Sequence, residues 1–125
     1  MKKYFSVNIL TCSFIIFAFT LQSCLYDKPE PLANCSLPNN VTYSGDIKPI
    51  IAANCTKCHI GPNAPNGSGI RLDEHSYVKA QVPQPLLDAI NHVGITTPMP
   101  KDAGKLDACS IAKIKKWIEA GAPNN

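Results

Sequence analysis

Cys55, Thr56, Lys57, Cys58 and His59 constrain this chain more than any other stretch of it. Two thiols at this spacing with an imidazole directly behind them form the attachment pattern for a c-type haem. Each thiol can add to one vinyl group of the same porphyrin, and the imidazole then lies under the iron as proximal ligand. A domain of roughly 80 residues rarely stabilises itself on apolar burial alone. A covalent apolar plate would complete such a core, so the chain without it is expected to fold poorly. Two weaker readings use the same residues: half of a zinc site, or a thioredoxin-like dithiol. The dithiol wants a βαβ neighbourhood, and no strong strand pattern surrounds Cys55. Zinc wants four ligands, and only His59, His75, His92 or Cys109 could be added, with no second paired motif.

The N-terminus reads as an export signal. Lys2 and Lys3 are followed by no charged residue until Asp27, and residues 7–21 are mostly apolar around Phe14, Ile15, Ile16, Phe17 and Phe19. A basic start and a short apolar core are the marks of a secretory signal. It ends in Leu21, Gln22, Ser23 and Cys24, which resembles a bacterial lipobox with Cys24 as the lipidated mature N-terminus. The expected organisation is therefore a signal peptide over 1–23, a lipidated tether over 24–42 and a domain over 43–125. Residues 4–26 are also long enough for an uncleaved membrane anchor, and simple secretion is a third reading. All three place the domain outside the cytoplasm, in a bacterial envelope, facing the periplasm or the cell surface. Removing Lys2 and Lys3 lowers the formal charge from +3 to +1. No basic stripe suggests nucleic acid. A monomer held at the membrane by lipid, meeting redox partner proteins, is expected.

The six cysteines sort by context. Cys12 lies in the signal, Cys24 takes lipid, and Cys55 with Cys58 take haem. Cys35 and Cys109 remain as an even pair in an oxidising compartment, where a disulfide is expected. Two free thiols are the alternative.

Periodicity argues for helices throughout. Residues 25–42, with Pro29, Pro31 and Pro38, show little of it and read as the tether. Ser44 can cap a first helix with Ile47, Ile50 and Ile51 on one face, running into Cys55. Residues 61–69 are a Gly/Pro/Asn loop. Short helices are expected over about 74–80 and 85–93. The clearest helix starts at Asp107 and carries Ala108, Ile111, Ile114, Trp117 and Ile118 as an apolar stripe, read as core packing across the first helix. Gly121 and Pro123 end it.

An iron held by His59 has one further axial place. Met99 is the only methionine besides Met1, and it sits between Pro98 and Pro100, whose fixed φ angles stiffen the loop. His92, His75 or an open site are the competitors, and a thioether would favour electron transfer. Arg71 is either a bidentate donor to a haem propionate or an ordinary surface arginine.

In this order, the Cys55–His59 run, the Gly69-Ile70-Arg71-Leu72-Asp73 segment, the Pro98-Met99-Pro100 loop and the Trp117-Ile118-Glu119-Ala120-Gly121-Ala122 segment resemble small class I cytochromes c. The likeness is greatest to monohaem domains of bacterial lipoproteins and of larger planctomycete-type cytochrome proteins, and it covers residues 43–125. The resemblance implies an all-α, cytochrome c-like helical domain wrapped around one covalent haem, with His59 and Met99 as axial ligands. Cys35 and Cys109 depart from many such domains. The function expected is one-electron transfer rather than enzymatic turnover. No Ser/His/Asp or paired-carboxylate site is visible, and Asp73 with Glu74 reads as a solvated helix start. Two alternatives remain: an electron-entry subunit of an oxidoreductase complex, or a gas- or peroxide-reactive haem domain with an open axial site.

Overall fold

Thr42, rather than Ser44, caps the first helical segment. In the computed structural model, which describes residues 35–125, Thr42 is extended and its hydroxyl accepts from the Gly45 N–H at 3.2 Å. Asp46 reciprocates, accepting from the Thr42 N–H at 2.9 Å. A cap must stand outside the helix while its side chain meets the first free N–H groups. Ser44 is already inside the turn, and its own N–H donates to the Asn125 carbonyl at 2.8 Å. The expected signal, Cys12 and the expected lipidation site Cys24 lie outside the described residues.

The segment opens as a π-helical turn, Tyr43–Ile47, and continues as α1, Lys48–Asn54. Pro49 stands in the first turn of α1, where its missing N–H costs least. The Cys55 N–H still reaches the Ile51 carbonyl at 2.8 Å, so the first thiol leaves from a stiff helix end. A 3₁₀ turn, Pro65–Gly67, is followed by α2, His75–Lys79, α3, Leu86–Asn91, and α4, Ala108–Glu119. Among the described residues there is no strand, and the fold is all-α.

Asp107 caps α4, its carboxylate accepting from the Ser110 N–H at 2.9 Å. The stripe expected on this helix faces inward. Ile114 and Trp117 are fully buried, and Ile111 nearly so. Gly121 follows at φ +87°, a left-handed position that releases the chain from the helix. Trp117 is the centre of the core. Its ring lies 5.7 Å from that of Tyr43 and 5.9 Å from that of His75, edge-on to the latter. Its indole N–H donates to the Pro123 carbonyl at 2.9 Å, and His75 Nε2 donates to the Ala122 carbonyl at 3.0 Å. Asn125 then accepts from the Tyr43 N–H through its side chain at 2.8 Å. The residues after α4 thus strap back over the first turn.

Residues 35–42, read from composition as tether, belong to the packed domain. Val41 is 3% exposed within the core, and the Lys116 ammonium donates to the Pro38 carbonyl at 2.7 Å. Cys35 and Cys109 form a disulfide with Cα atoms 5.3 Å apart. Proline and asparagine content describes a segment's local stiffness; it carries no information about one buried valine or one covalent tie.

The disulfide joins positions 74 residues apart. In chain-entropy accounting, closing a loop of this size is worth about 4 kcal/mol. Replacing both cysteines by serine should therefore lower unfolding stability by about 2–4 kcal/mol, read as a lower urea midpoint. A reductant should have the same effect on the parent chain and none on the double variant.

Candidate functional site

The end of α1 delivers the Cys55–His59 run into a tight turn, in which the Cys58 and His59 N–H groups both donate to the Cys55 carbonyl, at 3.2 and 3.0 Å. The two thiols are free and differ in setting. Cys55 packs partly against the core, and burial pushes its thiol up to about 11; Cys58 is exposed. At neutral pH Cys55 is thus a protonated thiol, unlike the depressed thiolates of redox dithiols.

His59 is buried, at 9% exposure, and is held twice. Its carbonyl accepts from the Leu72 N–H at 2.8 Å, which closes the loop 60–71 at its base. Its Nδ1 lies 2.8 Å from the Ile70 carbonyl oxygen. A carbonyl only accepts, so Nδ1 carries a proton, and in the neutral ring the lone pair is then on Nε2. This is the arrangement in which an imidazole is oriented to ligate a metal through its other nitrogen.

Gly67 makes the fit possible. A Cβ at this position would stand 2.5 Å from His59 Nδ1 and 2.9 Å from the Cys58 carbonyl oxygen. The 3₁₀ turn therefore lies directly on the imidazole, which no side-chain-bearing residue would permit.

His59, Leu72, Leu86, Ala89 and Met99 line one cleft of about 180 Å³, with Ile70, Thr96 and Thr97 also on its wall. Its floor is buried, and its rim at Ser68, Ile70, Pro85 and Thr97 is exposed. The lining is largely apolar, with one imidazole and one thioether among it. Such a wall suits an apolar group, with an imidazole and a thioether as the donors a metal could meet. At about 180 Å³ the cleft is smaller than the roughly 300–1,000 Å³ of typical small-molecule pockets, so a large plate seated there would keep part of its edge outside.

Met99 is half-buried. Its N–H donates to the Ala89 carbonyl and its carbonyl accepts from His92 Nε2, both at 3.0 Å. The three histidines are thereby distinguished. His75 is bonded to Ala122 and His92 to Met99, and neither lines the cleft; His59 does.

Arg71 is not among the residues that line the cleft and is engaged within the chain. Its Nε and one terminal nitrogen grip Asp73 at 2.9 and 2.7 Å, and the other terminal nitrogen donates to the Tyr77 hydroxyl at 2.8 Å. The guanidinium also stacks over the Tyr77 ring at 4.1 Å. Arg71 thus has partners within the chain, where the sequence offered either a haem propionate or an ordinary surface position. Asp73 is correspondingly no free helix start: the Arg71 hydrogen bonds hold its carboxyl down to about 2. Among the described residues no group of three or more His, Cys, Asp or Glu side chains is placed to hold a metal ion, so a zinc site finds no donor set there.

Sequence reasoning named Cys55, Cys58, His59 and Met99 but missed Gly67, the Ile70 carbonyl and the His92 contact. Gly67 looks like any glycine of a loop that contains Gly61 and Gly69, and backbone carbonyls carry no sequence mark. No family model, no characterised protein and no solved structure matches the chain.

Two outcomes follow from this geometry. Gly67→Ala should push the His59 ring off the Ile70 carbonyl at a cost of about 1–3 kcal/mol. The slowly exchanging Nδ1 proton expected in an NMR spectrum of the parent would then be lost. Asp73 has a folded value of about 2 against an ordinary 3.8. Its contribution is therefore full above pH 3.8 and lost as the pH falls through about 2. Asp73→Asn should flatten that part of the acid unfolding curve while leaving the region above pH 5 parallel to the parent.

Proposed function

We propose that this chain is a one-electron carrier, a cytochrome c-like domain around one covalent haem, held at the membrane of a bacterial envelope by lipid on Cys24. The observation that carries the reading is the pairing of His59 and Met99 on one apolar cleft, with His59 Nδ1 already bonded to Ile70 and its Nε2 left with the lone pair.

Haem, when bound, supplies an iron that takes up and releases a single electron. Cys55 and Cys58 would hold it by adding their S–H bonds across its two vinyl groups. His59 would ligate through Nε2, and the Ile70 carbonyl would keep the ring turned and its Nδ1 proton in place. Met99 would present its sulfur, a soft ligand that raises the potential. Leu72, Leu86 and Ala89 would exclude water from the inner face. None of these roles needs an acid–base pair or a bound substrate, which agrees with a carrier that meets donor and acceptor proteins through an exposed edge.

The test is the visible spectrum of protein purified from a host that matures c-type haem, taken before and after reduction and after acid–acetone extraction. A reduced α-band that stays with the polypeptide, and a long-wavelength sulfur–iron band in the oxidised form, are expected. Protein without haem, beside a control cytochrome that matured, would overturn the reading. Met99→Ala should abolish the sulfur–iron band and let carbon monoxide bind the reduced protein, which the parent resists.

A further inference from the structure

Met99 lies in a loop that has almost no means of fixing itself. Pro98 and Pro100 carry no N–H, so among the three residues only Met99 can donate a backbone hydrogen bond. That single N–H goes to the Ala89 carbonyl in α3, at 3.0 Å. The Met99 carbonyl is taken by His92 Nε2, also at 3.0 Å, from the residue that ends the same helix. Both backbone polar groups of Met99 are therefore held by one turn of chain, residues 89–92.

His92 occupies a position that an imidazole does not favour. Its φ is +56°, the left-handed conformation in which glycine or asparagine commonly ends a helix. Its N–H donates back to the Ala89 and Asp88 carbonyls, so the backbone is secured in that conformation. The consequence is that the ring projects from the helix end onto the Met99 carbonyl. A carbonyl only accepts, so Nε2 carries the proton. A methionine side chain has three rotatable bonds beyond its Cα, and its sulfur can be placed reproducibly only if the Cα is held.

We propose that His92 is a positioning residue for Met99: its Nε2–H fixes the Met99 carbonyl so that the thioether stays directed at the iron. This rests on the reading of Met99 as axial ligand. It assigns His92, which the sequence offered as a rival for the same coordination place, to the support of Met99 instead. With the hydrogen bond removed, the backbone of Met99 itself keeps only its bond to Ala89, the Pro100 carbonyl being held by the Ala103 N–H at 3.3 Å, and the sulfur leaves the iron more often.

The experiment compares haem-loaded parent, His92→Leu and His92→Gln. Leucine and glutamine share the left-handed strain, but only the glutamine amide can donate to the Met99 carbonyl. Loss of one hydrogen bond corresponds to about three- to tenfold in an equilibrium. His92→Leu should therefore bind carbon monoxide in its reduced form faster by about that factor and show a weakened sulfur–iron band when oxidised. His92→Gln should recover both towards the parent, even if both variants melt at the same lowered temperature. A parent with the band, and a leucine variant whose band and carbon monoxide rate match it, overturns the role of His92 alone. A parent that lacks the band overturns the Met99 reading, and the positioning role with it.

Discussion

His59 is bound to the loop that follows it through both its main chain and its ring, and the rest of the site depends on this double hold. The Leu72 N–H closes the loop onto the His59 carbonyl, and the Ile70 carbonyl takes the Nδ1 proton, each at 2.8 Å. A buried neutral imidazole needs a partner for its N–H or it loses the hydrogen bond it had with water. Ile70 meets that need and in doing so fixes which nitrogen carries the proton. The close approach of Gly67 leaves no room beside the ring for even a Cβ.

The site is not separable from the core beneath it. Leu72 and Leu86 line the cleft and also belong to the buried cluster that contains Ile47, Ile51, Ile114 and Trp117. The Tyr43, His75 and Trp117 rings join the first turn, α2 and α4, and the strap ending at Asn125 covers them. A change in the core that shifts Leu72 also shifts the anchor of the His59 carbonyl. Conversely, an apolar group seated in the cleft would add its surface to a core that a short chain builds with few side chains.

The helices stand where periodicity and capping chemistry place them, because those signals are local. Asp107 meets the Ser110 N–H three residues on, and the inward stripe of α4 repeats every helical turn. Where the expectation and the structure differ, a distant partner decides. Ser44 lost the cap to Thr42 when its N–H found Asn125. Of the tether expected over 24–42, residues 35–42 became part of the domain through Val41, Pro38 and the bond to Cys109. Arg71 found Asp73 and Tyr77, an arrangement that its neighbours in sequence permit but that only the folded loop selects.

By itself the sequence determined which chemical groups are present and how closely they follow one another: two thiols and an imidazole at the end of a helix, one methionine between prolines, and an even pair of remaining cysteines. It also determined the all-α character, since helical repeats and caps act over three or four residues. The tertiary structure alone decided that His59 has its Nδ1 occupied while His75 and His92 spend Nε2 on carbonyls, and that Met99 shares the cleft with His59. Those outcomes rest on carbonyl oxygens and on contacts between residues far apart in the chain, which every residue type supplies alike and which exist only once the loops have closed.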